Sequence, residues 1–520
     1  MPHQPFQGGK MVANAREIQG PRRFTKEQII NAWCMYDWAN SAFATTILAA
    51  ILPVYYSLVA GATLPSPEVA TAYWSLGLSL SLLIVAVLSP ILGTVSDVVR
   101  SKKRFLTLFA AMGITGTALL VLVDTGDWLL ASILFVLARI GFTSANVFYD
   151  ALLPHVAQGE EQDRVSAKGY ALGYLGGGLL LAVNAAMVSF LPGTWGPRLS
   201  FVSVAVWWAV FSIPLLRRVP EPLSATADLA PGENVISVSF RRLADVFKDV
   251  RRYKELFKFL VAFLIYNDAI GTIIGVASIY GAELGFDSVQ LILALLLVQF
   301  VGIPFSLIFG RLPSKSEPRR PIYLAFVVYN MVALPLVGVV GARMLPELGL
   351  GQTLGLIGAV EAAGILFSLL LGRALFSRLA AILDTKRSII LALIIYAVIA
   401  VWGYFLRSVV EFWLLAWMVA VVQGGSQALS RSLYASLSPS AKSGEFFGLF
   451  GVMEKFSAIL GPLLFAAAAA LFGSSRPATL SLILFFAVGV LLLRSVDVPA
   501  GVKVARAEDA RSAAQIGTTP

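Results

Sequence analysis

The chain has 520 residues, of which 58% are hydrophobic and 13% are charged. Soluble proteins contain about 25% charged residues, so this composition excludes a soluble protein, and at about 20 apolar residues per span it leaves room for a dozen or more membrane helices. The 40 Lys and Arg residues outnumber the 30 Asp and Glu residues, and in a membrane protein the location of this excess predicts the orientation.

Apolar runs bounded by proline, glycine and charge clusters predict fourteen spans, and hence an all-α polytopic membrane protein. Six runs precede a polar stretch, at about 30–58, 71–95, 105–123, 128–152, 168–191 and 199–216. Eight follow it, at about 256–282, 289–309, 321–342, 354–376, 388–406, 412–434, 446–471 and 477–493.

The spans divide the chain into five parts. We predict a cytoplasmic tail at 1–28, a six-helix bundle at 29–219, a linker at 220–255, a second bundle at 256–495 and a cytoplasmic tail at 496–520. In the linker, apolar and basic residues recur at helical spacing, which predicts an amphipathic helix on the membrane surface. A tether between the bundles is favoured there over a regulatory partner site. The final tail is polar and rich in small residues, so we expect it to be disordered.

Basic residues are distributed unevenly between the two sides of the predicted bundle. Most of them fall in segments on the side of the amino terminus, and only Arg139 and Lys455 are counted within spans. The loops of the other side hold four arginines, namely Arg198, Arg343, Arg407 and Arg476. The positive-inside rule then places both termini in the cytoplasm, with the protein in the cell membrane. It also explains the net charge without a nucleic-acid partner.

Internal repeats predict two homologous halves. Tyr36-Asp37 in the first span resembles Tyr266-Asn267-Asp268 in the seventh, and the stretch 149–154 resembles 434–439, with the same spacing from Tyr to Pro. Similar loops that end in arginine occur three times, at 93–104, 310–320 and 377–387. The third copy predicts that a pair of spans, near 321–376, was inserted into the second half.

The loop at 93–104 has the composition of a gate. Gly93 allows two helices to approach closely, and Asp97 can cap a helix start or meet a cation. The basic residues that follow suit anionic lipid, although a solvated positive-inside loop explains them as well. They are Arg100, Lys102, Lys103 and Arg104.

This loop resembles the signature between the second and third spans of the major facilitator superfamily, and Arg378-Leu379 with Lys386-Arg387 resemble its repeat. Four longer blocks resemble the vacuole-effluxer-like branch, which includes autophagy-linked amino-acid permeases. They are Trp33 to Phe43, Tyr266 to Asp268, Gly424 to Ser432 and Gly444 to Gly448. Val98, Arg100, Ala381 and Asp384 depart from the signature, and the usual number of spans is twelve. The resemblance implies two pseudo-symmetric helix bundles, with an inserted pair here.

Ionisable residues inside spans indicate a transport pathway, because they are costly in a bilayer unless they are paired or face water. Asp37 and Asp268 are the candidate proton-coupling carboxylates; the alternative is a structural pair with Arg139 or Lys455, or a cap satisfied by Asn40 and Asn267. Arg139 suits a substrate carboxylate or a salt-bridge lock.

Further polar residues complete the predicted site. Glu454 and Lys455 are adjacent in span 13 and need different partners. Gln427 in span 12 offers hydrogen bonds to a zwitterion, although the glycines before it also favour simple packing. Asp150, near the inner end of span 4, is expected to contact a basic loop as part of the gate. Glu361 in the inserted pair is expected to be structural.

Together these features predict a secondary transporter that works by alternating access, with binding at the midplane between the repeats. The resemblance implies efflux of amino acids or similar solutes, and the buried carboxylates suggest coupling to protons. Proton-linked drug or sugar permeases, and a non-transporting sensor or scaffold, are the alternatives.

No enzymatic or metal chemistry is predicted. Cys34 is the single cysteine and cannot form an intrachain disulfide, and two histidines, His3 and His155, are too few for an ordinary zinc site. A nucleophile with a base and a Walker loop are also missing from the sequence. The segment before the first span lacks the apolar run of a cleaved signal peptide. We therefore expect no cofactor, and the bilayer, a small solute and protons as partners.

Overall fold

The fold is an all-helical membrane bundle. The computed structural model describes residues 24–222, 251–286, 288–344, 350–457, 460–472 and 474–517, together with 234, 238 and 241. Among these residues every regular element is a helix. Fourteen helical stretches are long and apolar enough to cross a membrane, as the hydropathy pattern predicts.

The first half contains six long helices. The first, α1, spans Lys26–Ala60 and includes π-helical segments at Phe43–Ala50 and Tyr56–Ala60. The others are α2 (Pro67–Val98), α3 (Lys102–Leu119), α4 (Trp128–Ala151), α5 (Glu160–Phe190) and α6 (Trp195–Arg218).

The second half contains eight spans and a terminal helix. They are α7 (Lys254–Glu283), α8 (Ser288–Arg311), α9 (Arg320–Met344), α10 (Leu350–Ile382), α11 (Thr385–Phe405), α12 (Val409–Leu437), α13 (Ser443–Phe456), α14 (Leu460–Phe472), α15 (Arg476–Arg494) and α16 (Val498–Gly517). Helices α13 and α14 together make up the thirteenth predicted span.

The two halves repeat one packing scheme. In the first half α4 packs against α2 and α3, while α6 packs against α1 and α3. In the second half α12 packs against α8 and α11, while α15 packs against α7 and α11. Helices α9 and α10 pack against each other, and α9 also packs against α12, outside this scheme. The fold is therefore twelve core spans in two pseudo-symmetric bundles plus an inserted pair.

Local sequence explains where several helices begin. Thr25 and Gln28 form a capping box at the start of α1, and Ser408 and Glu411 form another at the start of α12. Asp384 caps α11 through the backbone N–H of Arg387. Each cap satisfies backbone donors that have no partner within the helix.

One sequence prediction differs from the structure, and another concerns residues that the structure does not describe. The terminal segment is not disordered: α16 spans Val498–Gly517 and packs against α7 and α12. Its apolar positions are too sparse to be recognised in isolation, and tertiary contacts stabilise it. The amphipathic linker helix falls mostly on 223–250, nearly all of which lies outside the described residues.

Candidate functional site

The two halves meet at one face of the bundle, which we call the terminal face because α1 begins there and α15 ends there. Helix α2 packs against α13, and α5 packs against α8 and α12. The backbones approach closely at Gly93, where an added Cβ would lie 2.2 Å from the carbonyl oxygen of Gly444. Only a glycine permits this backbone contact. The predicted close approach at Gly93 therefore joins the two halves.

Asp97 stabilises the same contact between the two halves. Its buried carboxylate accepts hydrogen bonds from the backbone N–H groups of Gly444 (3.2 Å) and Glu445 (2.7 Å). These groups open α13, where the helix dipole favours a negative charge. The carboxylate also forms an ion pair with Lys102, which is equally buried. The first half thus caps a helix of the second half.

The other basic residues of this loop take different positions. Lys103 donates its backbone N–H to Glu221 (3.0 Å), and Arg104 is exposed. Arg100 adopts a left-handed backbone with φ of 51°, a conformation that favours glycine. The resemblance places a glycine in this position of the signature, so the turn is retained although the residue differs.

The second half contributes its own contacts to the terminal face. Thr385 Oγ1 donates to Asp163 (2.7 Å) at the start of α5, and Ser314 Oγ donates to Glu160 (3.1 Å). Lys386 instead binds the carbonyl of Val496 (2.8 Å) within its own half. Arg387 and Asp384 form an exposed pair. The predicted gate residues Lys386 and Arg387 therefore do not reach the first half.

A buried arginine connects the halves more deeply. Arg431 of α12 has a side chain that is 4% exposed, and its guanidinium lies 3.2 Å from a carboxylate oxygen of Asp37 and 3.0 Å from one of Asp150. Its Nε–H donates to Ser166 Oγ (2.9 Å). Three helices of the first half, α1, α4 and α5, are thereby bound to one residue of the second.

Aromatic rings surround the Arg431 guanidinium. The ring centroids of Tyr170, Trp33 and Tyr149 lie 4.5, 4.9 and 5.6 Å from its central carbon. Tyr149 also donates its hydroxyl to Asp37 (2.8 Å). Cation–π attraction and charge-assisted hydrogen bonds both strengthen when water is excluded. We call Arg431, Asp37, Asp150 and Ser166 the Arg431 network.

Arg431 is not among the site residues that the sequence pattern predicts. Arg431 lies near the end of an apolar run and was counted with the cytoplasmic charges, although it falls within the predicted span at 412–434. The alternative in which Asp37 pairs with Arg139 or Lys455 is therefore not realised, because its partner is Arg431. The expectation that Asp150 meets a basic loop is wrong, because its partner is helical. The signal was available: a lone arginine within an otherwise apolar span usually has a carboxylate partner.

Asp268 occupies a different setting from Asp37. Helix α13 ends at Phe456, and both Asp268 carboxylate oxygens accept from the first residues of α14 that the structure describes, at the N–H groups of Leu460 (3.0 Å) and Gly461 (2.9 Å). Asn267 donates to Ser457 Oγ (2.6 Å) at the end of α13. The two predicted residues therefore bind α7 to α13 and α14, and Asp268 is a helix cap in this conformation.

Two further predicted site residues, Asn40 and Arg139, lie on α1 and α4 of the first half. Asn40 donates to Asn146 Oδ1 (2.6 Å). Arg139 precedes Asn146 by two helical turns and shares its face. The Arg139 Nε is buried without a partner in the part of the chain that the structure describes.

The remaining three lie on α12 and α13. Glu454 and Lys455 pair with each other at 2.5 Å, contrary to the expectation of separate partners, and the Glu454 side chain is 47% exposed. Gln427 lies one turn before Arg431 on α12 and is partly buried. Its side chain is therefore near the network without belonging to it.

Comparison with known proteins places this geometry among transporters. The family model described as "Vacuole effluxer Atg22 like" matches residues 64–357 and 352–506. An uncharacterized MFS-type transporter of Bacillus subtilis, YxiO, is 32% identical, over 91% of this chain and 95% of the relative. Autophagy-related protein 22 of Yarrowia lipolytica is 24% identical, over 75% of this chain and 69% of the relative.

Solved structures share the fold. The proton:xylose symporter XylE superimposes with a TM-score of 0.56 at 14% identity, covering 91% of this chain and 96% of the symporter. The human organic anion transporter MFSD10 superimposes with a TM-score of 0.54 at 13% identity, covering 91% of this chain and 100% of the transporter. At this identity the likeness concerns the fold alone, that of the major facilitator superfamily.

Proposed function

The chain belongs to the Atg22-like vacuole effluxer family of major facilitator transporters, and from that premise we propose that it exports amino acids or similar zwitterionic solutes in exchange for protons. The observation that carries this proposal is the Arg431 network. A permanently charged arginine of one half is held by two carboxylates of the other, at the face where the halves are closed.

The orientation of the protein in the membrane follows from the distribution of its basic residues. The terminal face carries most of the basic loops, and the positive-inside rule makes it cytoplasmic. Both termini then lie in the cytoplasm, the described conformation is closed to the cytoplasm, and the protein resides in the cell membrane. In the proposed cycle, outside protons reach Asp37 and Asp150 in this conformation, in which their side chains are 13% and 20% exposed.

Proton coupling follows from the chemistry of the Arg431 network. Arginine does not release its proton in proteins, so the carboxylates are the groups that change charge. Protonation of Asp37 or Asp150 removes half of the negative charge that holds Arg431, and weakens the bond between the halves. The cytoplasmic side then opens, the proton leaves to the cytoplasm, and the solute enters.

The substrate class rests on charged residues of both signs that lie outside the Arg431 network. An amino acid needs a cation for its carboxylate and an anion for its ammonium group. Arg139 and Lys455 supply the first, and Glu454 supplies the second at its exposed carboxylate. Asn40, Asn267 and Gln427 offer neutral hydrogen bonds. A sugar site would use mainly such neutral groups, so the charges favour a zwitterion.

The test is efflux of a labelled amino-acid mixture from proteoliposomes, with and without an imposed pH gradient. We expect gradient-driven efflux for the wild type and at least a tenfold loss for Asp37→Asn, because the amide cannot carry the proton. The matched control is Asp384→Asn, whose carboxylate sits in an exposed pair on the same face.

The outcomes separate the parts of the proposal. Efflux that ignores the pH gradient would contradict proton coupling, and so would full retention of gradient-driven efflux in Asp37→Asn. Absence of amino-acid efflux from folded protein would contradict the substrate class and direct the search to drugs and sugars.

A further inference from the structure

Glu361 is a buried carboxylate in the inserted pair, away from the Arg431 network. It lies on α10, about ten residues or 15 Å from the start of that helix, and it is 8% exposed. Helix α10 packs against α9, and α9 packs against α12. A carboxylate at this depth is costly unless it is paired or neutral.

The partners that Glu361 has are neutral. Asn330 of α9, which is fully buried, points its amide at a Glu361 oxygen at 3.4 Å and donates to the carbonyl of Phe326 at 3.0 Å. The Tyr329 hydroxyl, also on α9, donates to the carbonyl of Val360 (3.0 Å). From α12 the indole N–H of Trp417 faces the Glu361 carboxylate and is a weak neutral donor to it, outside normal hydrogen-bond geometry among the described residues.

Two acceptor oxygens are left over. Glu361 Oε1 and Asn330 Oδ1 are both buried, and neither has a hydrogen-bond donor among the residues that the structure describes. Over the same residues no lysine or arginine forms an ion pair with Glu361. Tyr329 is the titratable group that faces it from α9, and α12 contributes only the uncharged Trp417.

The arrangement around Glu361 and Asn330 lacks one hydrogen-bond donor. A metal cation would need a shell of several oxygens, whereas two are unpaired here. A single proton on Glu361 removes the buried charge and supplies an O–H donor at the same time. We propose that Glu361 and Asn330 form a proton-binding site in the inserted pair, in which Glu361 is held as the neutral acid at neutral pH.

The site has a consequence for α12, the helix that carries Arg431. Loss of the proton places an unpaired negative charge against the contact between the inserted pair and α12, next to Trp417. The charge of the inserted pair therefore changes with pH independently of the Arg431 network. This inference does not depend on the identity of the transported solute.

The test is infrared spectroscopy of the full-length protein in lipid nanodiscs. At pH 7 the wild-type spectrum minus that of Glu361→Gln should contain the C=O stretching band of a protonated carboxylic acid, and the band should disappear as the pH is raised. The matched control is Glu411→Gln. Glu411 is also buried, at 4% exposed, but its carboxylate accepts backbone N–H bonds from Arg407 (2.6 Å) and Ser408 (3.3 Å), donors of a kind that Glu361 lacks among the described residues.

Each outcome decides the proposal. Absence of the band at pH 7 would show a charged Glu361 and overturn it. Loss of the band on replacing choline chloride by sodium chloride at fixed pH would show a metal-ion site and overturn it as well. If Glu361→Gln fails to fold, Glu361→Asp keeps a carboxyl group, and the band should remain at a shifted frequency.

Discussion

At the residue scale, one buried arginine connects the halves. Arg431 makes charge-assisted bonds to Asp37 and Asp150, and the low-dielectric surroundings strengthen them. The same surroundings make the network sensitive to the loss of any member, because the remaining charge is left buried without a partner. The network thus holds the two halves together, and in the proposed function it is where a proton would release them.

We predict that Arg431→Gln lowers the free energy of unfolding by about 3–5 kcal/mol, the range for breaking one side of a buried pair. Arg431→Lys should fall between the wild type and Arg431→Gln, since an ammonium group keeps the charge but cannot form the fork of bonds to Asp37, Asp150 and Ser166. Thermal unfolding in detergent measures both variants. Arg387→Gln, which breaks an exposed pair, is the control and should change stability by less than about 1 kcal/mol. Equal effects of Arg431→Gln and Arg387→Gln would contradict the importance of the network.

The sequence predicted two carboxylates of the Arg431 network, Asp37 and Asp150, but not the cation that they bind. Asp37 and Asp150 are recognisable as polar residues in apolar runs, whereas the pairing depends on how α12 rotates against α1, α4 and α5. Neither hydropathy nor periodicity carries that information, because each describes a single helix. The tertiary contact therefore decided which cation Asp37 would meet.

At the element scale, the end of α13 at Phe456 and the terminal helix α16 were the unpredicted features. The run at 446–471 is mostly apolar despite Glu454 and Lys455, so hydropathy reads it as one span. Helices α13 and α14 are bound by Asn267 and Asp268 of α7, residues distant in sequence. Helix α16 is similar: its weak apolar face gains stability from contacts with distant parts of the chain.

Helix α16 is attached by carboxylates. Glu508 forms ion pairs with Lys442 (2.8 Å) and Arg252, and Asp509 accepts backbone N–H bonds from Ser440 (3.2 Å) and Ala441 (2.9 Å). A cavity of about 330 Å³ lies beside it, lined by both halves and by Arg506 of α16. The helix therefore covers part of the terminal face where the halves must separate.

The attachment of α16 should depend on pH. Burial raises the pKa of Glu508, but the hydrogen bond and charge of Lys442, together with Arg252, outweigh it and leave the pKa below 4.5. A lowered folded-state pKa gives stability that is present above the unfolded pKa and is lost as the pH falls through the folded one. We expect α16 to stay docked at pH 7 and to undock as the pH falls below 4.5 and through the lowered folded-state pKa of Glu508. Hydrogen exchange of 498–517, corrected for the intrinsic rate, measures this.

The variant Glu508→Gln should exchange faster than the wild type in 498–517 at pH 7, since it lacks the charge at every pH. Glu283→Gln is the control, because Glu283 binds the backbone N–H of Ser475 (2.9 Å) and makes no recorded contact with α16. Identical exchange in wild type and Glu508→Gln at pH 7 would show that these ion pairs do not hold α16.

At the scale of the whole molecule, function depends on separating two halves that are joined at one face. The Gly93 contact, the Asp97 cap and the Arg431 network all lie on the path between them. The sequence indicated two halves through its repeats and an inserted pair through its third loop copy. It could not indicate which face is closed, because a repeat pattern is compatible with every state of the transport cycle.

A disulfide across this face tests the need for separation most directly. An added Cβ at Gly451 of α13 would lie 3.0 Å from a methyl carbon of Val147 on α4, so cysteines at these positions are within bonding reach. Val147→Cys with Gly451→Cys, in a background in which Cys34 is replaced by serine, is compared with each single cysteine variant. Amino-acid efflux from proteoliposomes is followed before oxidation, after oxidation and after reduction.

We predict that oxidation stops efflux in the double variant alone and that reduction restores it, because the cross-link holds the terminal face closed. Undiminished efflux from protein that is fully cross-linked would contradict alternating access through separation of the two halves at this face.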